Sequence, residues 1–132
     1  MVAAADWSEE VLEIYAANFA HPVLCLDLAD VGASVQALRP LGPFDLVQIS
    51  APCTDFSQAG KGVEGAAAFV TVTCTRIAIA LGAPTIIYEN VPRALASAAW
   101  REAATLLSSR GFTWTQSLVD ARFCGVPQRR VR

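Results

Sequence analysis

Several residue types are scarce in this 132-residue chain, and each scarcity excludes a class of protein. There is one histidine, His21, and the four cysteines form no C-x-x-C pair, so the spacing excludes an ordinary zinc site. No apolar run reaches the roughly 20 residues of a membrane span. The N-terminus lacks the basic region and the cleavage pattern of a signal peptide. We therefore expect no metal, no membrane partner, and a cytoplasmic location with reduced thiols.

Positive charge is missing from the first part of the chain. Residues 1–38 contain six acidic residues and no Lys or Arg, whereas residues 39–132 contain ten basic residues against six acidic ones. Nine of the ten basic residues are Arg, which suits forked contacts with phosphates. Although the net charge is −2, this distribution predicts that the second part faces phosphates while the first part binds something else.

Apolar segments alternate between strand and helix patterns. The sequence predicts strands over residues 2–5, 23–26, 44–49, 84–88 and 112–119, and helices over residues 8–19, 69–81 and 96–110. This alternation predicts one α/β domain over residues 1–132 with a mostly parallel sheet. Asp6, Asp27, Cys53 and Glu89 all follow predicted strands. Since ligands bind at the carboxyl ends of parallel strands, we expect these four side chains along one sheet edge.

The segment SAPCTDFSQAG, residues 50–60, raises the question of what Cys53 does. A buried structural thiol is the commonest fate of a free cysteine. However, Pro52 stiffens the turn before it, and the polar residues that follow suit a loop that faces a substrate. A zinc deaminase is excluded, because Phe56 stands where its second cysteine would be. Structural thiol and nucleophile both remain open at this point.

Two later segments carry further candidates. In YENVP, Glu89 follows an apolar strand and is either a solvated cap or a carboxyl group that bonds a ring nitrogen. In CGVPQRRVR, Gly125, Pro127 and Gln128 indicate a shaped loop that aims particular arginines, Arg130 and Arg132, rather than a solvated basic terminus.

Together these segments resemble the cytosine-5 DNA methyltransferase family. The matching segments, in chain order, are Asp6-Trp7, Asp27-Leu28, Pro52-Cys53 with Phe56-Ser57 and Gly60-Lys61, Glu89-Asn90-Val91, and Gly125 to Arg132. They cover essentially the whole chain. The resemblance implies a Rossmann-like, mostly parallel sheet of the S-adenosylmethionine-dependent methyltransferase type, in an incomplete form.

The resemblance also implies roles for individual residues. Cys53 would add to carbon 6 of a cytosine in DNA, so that carbon 5 attacks the methyl donor. Glu89 would contact the ring, and Arg132 with Arg130 would hold the cytosine oxygen or a phosphate. The residues expected to bind S-adenosylmethionine are Asp6, Trp7, Asp27, Leu28 and Pro52. Asn90, Ser57 and Gln128 are expected to bind the substrate, a cytosine flipped out of double-stranded DNA.

The family opens with a strand and a Phe-x-Gly-x-Gly loop, and it continues after the segment that matches Arg132 with a target-recognition region and final helix and strand motifs; none of these is in this sequence. In the family fold, the missing first strand lies between the strand that ends at Asp6 and the strand that ends at Ser50. We therefore expect a partial catalytic domain, with little activity alone, that needs the missing motifs in the same polypeptide or from a complementing chain. Alternatives are an RNA cytosine methyltransferase, a non-catalytic DNA-binding or partner subunit, and a generic α/β thiol protein.

Overall fold

A computed structural model of the chain describes residues 2–56 and 64–132. Four short strands alternate with four helices. In chain order the elements are β1 (Ala4–Asp6), α1 (Glu9–Asn18), β2 (Val23–Cys25), α2 (Val31–Leu38), β3 (Leu46–Ile49), α3 (Ala66–Ala80), β4 (Thr85–Tyr88) and α4 (Ala98–Ser109). Short 3₁₀ turns lie at Arg39–Leu41, Pro92–Ala96 and Ala121–Cys124. The mixed α/β architecture expected from the sequence is confirmed.

Helix boundaries follow from capping residues. The Ser8 hydroxyl accepts a bond from the backbone N–H of Val11 at the start of α1, and Ser97 does the same for Trp100 at the start of α4. Gly111 has φ of 81°, a left-handed conformation that favours glycine, directly after α4. The bounds that the sequence predicts for α1 and α4 therefore lie close to the bounds in the structure.

The strands pair in parallel, but in two separate sheets. β1 pairs with β2, and β3 pairs with β4. Within residues 2–56 and 64–132, no strand hydrogen-bonds the two sheets to each other. The parallel pairing expected from the sequence is therefore present, in two small sheets rather than in one full Rossmann-like sheet. A side-chain contact links the two sheets: Leu28, which follows β2, packs against the core around Ile49, Cys74 and Ala78.

The main core lies between the second sheet and the helices α3 and α4. One buried cluster contains Ile49, Cys74 and Ala78, and a second contains Phe56, Ala68, Val72 and Ala99. α3 is apolar on nearly every side because it lies between β3 on one flank and α2 and α4 on others. The described part of the chain has no helix long and apolar enough to cross a membrane.

The predicted strand over residues 112–119 is wrong. These residues are not in a regular strand; only at their end does Val119 pair with Arg132. The physical reason is the lack of an adjacent partner, since a cavity of about 860 Å³ lies between them and β4. The sequence also predicts no element where α2 lies, and the helix that it predicts over residues 69–81 begins three residues after the start of α3.

Candidate active site

The ends of β3 and β4 form the centre of the candidate site. The backbone N–H of Glu89 donates to the carbonyl of Ile49 at 2.9 Å, which extends the parallel pairing past the last strand residues. Just beyond, the side-chain Nδ2 of Asn90 donates to the carbonyl of Ala51 at 3.2 Å. Because Ala51 precedes Pro52 and Cys53, the Asn90 amide ties the cysteine-bearing turn to the strand that carries Glu89.

Cys53 lies at the start of a turn that is anchored in the core. The side chain is partly buried, and its carbonyl accepts a bond from the N–H of Phe56 at 3.0 Å. Phe56 is only 6% exposed and packs with Ala68, Val72 and Ala99. The turn is therefore fixed on both sides of Cys53: Asn90 binds Ala51, two residues before it, and Phe56, three residues after it, packs in the core.

Two carboxylates that the sequence analysis missed cap the helices behind this turn. Asp55 Oδ2 accepts bonds from the N–H groups of Gly65 and Ala68 at the start of α3, at 3.0 and 2.8 Å. Glu64 accepts from those of Ala98 and Ala99 at the start of α4, at 2.8 and 3.1 Å. An acidic group near a helix start is favourable because unpaired N–H groups and the helix dipole meet there. The local sequence gives no sign of the Glu64 cap, because Glu64 and the helix start that it caps are far apart in the chain.

Glu89 and Arg132 form an ion pair at the partly exposed side of the site. Oε1 of Glu89 lies 2.7 Å from Nε of Arg132, with 39% and 28% of their side chains exposed. Arg132 is held there by its own backbone, which exchanges two hydrogen bonds with Val119 at 2.7 and 2.8 Å. The structure thus brings into contact Glu89 and Arg132, which come from two distant motifs and for which the family resemblance implies roles in holding the same cytosine.

The loop before Arg132 is shaped by an ion pair. Asp120 Oδ2 accepts from Nη2 of Arg122 at 2.7 Å and from its Nε at 3.1 Å. Hydrogen bonds from the side chain and the backbone N–H of Arg122 lower the pKa of Asp120 to about 2. Gly125, with φ of 84°, turns the chain so that the backbone N–H of Arg130 faces Asp120 Oδ1 at 3.4 Å.

The remaining substrate candidates from the sequence take no part in the ion pair of Glu89 with Arg132. The side chains of Gln128 and Arg130 are exposed on the loop. The Asn90 amide is engaged within the chain, because its Oδ1 also accepts from the N–H of Val91 at 2.8 Å. Ser57, Gly60 and Lys61 lie outside the described residues.

The acidic residues of the first sheet lie at matching ends of β1 and β2. The backbone N–H of Leu26 donates to the carbonyl of Asp6 at 2.9 Å, so Asp27 follows the same sheet edge on which Asp6 ends β1. Each carboxylate accepts one local bond, from Ser8 or Ala29 at 2.9 Å. Trp7, beside Asp6, is 73% exposed. This edge offers two carboxylates and a free aromatic face.

The sequence predicts that Cys25 and Cys74 lie in core elements as inert packing residues, and the structure separates the two. Cys74 is buried as expected, and burial raises the pKa of its thiol to about 11. Cys25, expected to be core packing, is exposed, because β1 and β2 form a narrow sheet that leaves the end of β2 uncovered. Cys124 is also exposed. Within residues 2–56 and 64–132, no three His, Cys, Asp or Glu side chains are grouped to hold a metal ion.

The family model of C-5 cytosine-specific DNA methylases matches residues 1–132. The chain belongs to this family. Among curated relatives, the type II methyltransferase M.HgiDI of Herpetosiphon aurantiacus is 38% identical over 133 residues, which is all of this chain and 43% of the relative. M.HindV of Haemophilus influenzae is 32% identical over 96% of this chain and 41% of its own length. M.HgiGI of H. aurantiacus is 38% identical over 71% of this chain and 75% of its own length.

The chain thus spans less than half the length of these two relatives, M.HgiDI and M.HindV. Within it, the described structure joins the turn of Cys53 to Glu89 through Asn90, and Glu89 to Arg132 through an ion pair. It places Asp6, Trp7 and Asp27 together on the separate first sheet. The four residues expected along one sheet edge therefore lie in two groups: Asp6 and Asp27 at the first sheet, and Cys53 and Glu89 at the second.

Proposed function

We propose that residues 1–132 form part of the catalytic domain of a DNA cytosine-5 methyltransferase, with Cys53 as its nucleophile. The observation that carries this proposal is the contact of Glu89 with Arg132 beside the turn of Cys53. Three segments distant in sequence supply a thiol, a carboxylate and a guanidinium at one sheet end. These are the groups that addition to a pyrimidine ring requires. Family membership and the names of the type II relatives support DNA as the substrate and a restriction-modification setting.

In the proposed reaction, the Cys53 thiolate forms a bond from its sulfur to carbon 6 of the flipped cytosine. Glu89 bonds the ring nitrogen and the amine as electron density moves toward carbon 5. Arg132 supports the carboxylate and faces the ring oxygen. Carbon 5 then accepts a methyl group. Loss of the carbon 5 hydrogen as a proton to solvent base expels Cys53 as the thiolate, which restores the aromatic ring and the enzyme.

S-adenosylmethionine supplies the electrophilic methyl group when it is bound. The edge of the first sheet fits this molecule, because Asp6 and Asp27 offer carboxylate oxygens to ribose hydroxyls and to a cationic donor. The exposed face of Trp7 fits an adenine ring. Leu28 directly follows Asp27, and its side chain packs against the core of the second sheet. Pro52 directly precedes Cys53.

The proposed cofactor group and the proposed nucleophile lie on different sheets, so a complete site needs the two sheets fixed against each other. We propose that a strand between them, supplied by the same polypeptide or by a complementing chain, does this. The separate pairing of β1–β2 and β3–β4 in the described residues supports such a strand position. In that arrangement all four strand ends share one edge.

A hybrid enzyme tests the function. Residues 1–132 would replace the matching region of M.HgiDI, and the unmatched segments of that relative complete the hybrid. We expect methyl transfer from labelled S-adenosylmethionine to cytosine in DNA, and none to RNA of the same sequence. Cys53→Ser should abolish transfer, whereas Cys124→Ser, the matched exposed-cysteine control, should keep it. Transfer that persists in the Cys53→Ser hybrid would overturn the proposal.

A further inference from the structure

Phe123 has the largest exposed fraction among the large apolar side chains that the structure describes. The value is 87%, against 73% for Trp7. The residue lies in the 3₁₀ turn Ala121–Cys124, on the loop that leads to Arg132. A single exposed apolar side chain is common on protein surfaces, so a role for this ring must be argued from how the loop holds it and from what surrounds it.

Hydrogen bonds hold the turn of Phe123 in one conformation. The N–H of Phe123 donates to the carbonyl of Asp120 at 2.9 Å, and the N–H of Val126 donates to the carbonyl of Ala121 at 3.1 Å. Asp120 also caps the turn, since its Oδ1 accepts from the N–H of Arg122 at 3.1 Å. A fixed backbone therefore presents the ring to solvent, and a partner that binds the ring has little ordering of the loop to offset.

Positive charge surrounds the ring. The guanidinium carbon of Arg122 lies 5.8 Å from the centroid of the Phe123 ring. Asp120 is the one acidic residue between positions 120 and 132, and it is paired with Arg122 at 2.7 Å. Arg129 and Arg130 are exposed, and in the described ranges 2–56 and 64–132 no acidic side chain lies within ion-pair distance of either. An aromatic ring among such arginines matches a partner with both stacked rings and phosphates, which is nucleic acid.

The loop of Phe123 ends at the candidate site. Arg132 pairs with Val119 through its backbone and with Glu89 through its side chain. Phe123 lies four residues after Val119. Two extended residues of about 3.4 Å each and two 3₁₀ residues of about 2 Å each put its backbone within roughly 11 Å of Val119. Since bases along one DNA strand are about 3.4 Å apart, the ring can reach bases within about three steps of a cytosine held at Glu89 and Arg132.

We propose that Phe123 stacks on a base of the DNA beside the flipped cytosine, while the exposed Arg129 binds an adjacent phosphate. This inference rests on the proposed function, since it takes DNA as the substrate. Flipping a cytosine leaves its neighbours unstacked, and an apolar ring that enters the stack beside it replaces part of the lost contact. Every base has a π face, so stacking on Phe123 favours flipping without selecting the target sequence.

Binding and fluorescence of the hybrid enzyme test this contact. The affinity is measured for a duplex that carries 2-aminopurine next to the target cytosine, because this base fluoresces strongly when it is unstacked. We expect Phe123→Ala to weaken binding by about 5- to 100-fold, the loss of one base–aromatic stack, and to raise the fluorescence of the complex. Phe123→Tyr keeps the ring and should bind like the parent. Phe123→Leu keeps apolar bulk without the ring and should lose most of the affinity.

Two further variants separate stacking from charge and from exposed apolar surface in general. Arg129→Ala should weaken binding to all sequences and lower the slope of log affinity against log salt concentration by about one, whereas Phe123→Ala should leave this slope unchanged. Ile14→Ala removes a side chain that is 64% exposed on α1, and it should change neither the affinity nor the fluorescence.

Equal binding by the parent and Phe123→Ala, or full binding by Phe123→Leu, overturns the inference. A lower thermal unfolding midpoint of Phe123→Ala with unchanged DNA affinity also overturns it, because another part of the hybrid would then cover the ring. The proposed function fails in a different way, if the parent hybrid binds DNA but transfers no methyl group to cytosine.

Discussion

Nε of Arg132 lies 2.7 Å from Oε1 of Glu89, directly after the carboxyl end of β4. The pair is partly exposed, so it contributes little to folding: pairs of this kind are worth about 0–1 kcal/mol. Its value is positional. It holds a carboxylate and a guanidinium next to Asn90, whose amide binds the backbone two residues before Cys53. This position favours a role in binding a ring over a role in stability.

Glu89→Gln separates these two roles. In the hybrid enzyme we expect methyl transfer to fall by about 10²–10⁴-fold, the usual contribution of a positioned acid or base. The thermal unfolding midpoint should change little, since only an exposed ion pair is lost. Glu102→Gln is the matched control, because Glu102 forms a comparable exposed pair with Arg76 at 3.0 Å. An equal activity loss in both variants would contradict the role of Glu89.

Asn90→Ala removes the bond that ties the Cys53 turn to β4. We expect a loss of about 1 kcal/mol in the free energy of unfolding, measured by urea titration, because the carbonyl of Ala51 loses its donor. Asn18→Ala is the control: its Nδ2 donates to the carbonyl of Ile14 on an exposed helix surface, where water replaces the bond. Similar unfolding curves for the two variants would show that the Asn90 bond does not anchor the turn.

Glu64→Ala leaves two N–H groups at the start of α4 without their acceptor. The expected loss is about 0.5–2 kcal/mol in the free energy of unfolding, as for other helix caps. Glu64→Gln should lose less, since an amide oxygen still accepts but no longer carries a charge for the helix dipole. If both substitutions leave stability unchanged, Glu64 does not cap α4 in solution.

Thiol labelling at pH 8 checks the burial of the cysteines. Cys74 should react slowest, both because it is buried and because a pKa of about 11 leaves roughly a hundredfold less thiolate than the ordinary value of 9.0. The exposed Cys25 and Cys124 should label first. Peptide mapping by mass spectrometry resolves the four sites. Labelling of Cys74 as fast as Cys25 would mean that α3 does not pack as described.

Local signals in the sequence were enough for much of the fold. Ser8 and Gly111 mark helix ends by capping chemistry that needs no tertiary contact, and the structure confirms both. α2 was missed because an eight-residue helix with an internal Gly32 has a weak pattern, although its cap, Asp30, is a recognisable signal. A short helix of this kind depends on packing, here against α3.

Non-local relationships could not be predicted in the same way. Residues 112–119 have a strand-like composition, but a strand forms only where a partner edge is present. The apolar sequence of β2 predicts that its end is buried, yet Cys25 is exposed because the sheet is only two strands wide. The caps by Asp55 and Glu64 join segments far apart, so no spacing rule reveals them. The motif residues Glu89 and Arg132 were selected by resemblance, and the structure supplied their contact.

Covalent capture tests the central claim most directly. The hybrid enzyme, S-adenosylmethionine and duplex DNA containing 5-fluorocytosine at target positions are incubated and then denatured. Fluorine at carbon 5 cannot leave as a proton can, so a Cys53 adduct at carbon 6 should persist, with the mass of protein plus methylated DNA on Cys53. The Cys53→Ser hybrid should give no adduct, while the Cys25→Ala hybrid should give the same adduct as the parent. An adduct at another residue, or one that survives Cys53→Ser, would contradict the assignment of Cys53 as the nucleophile.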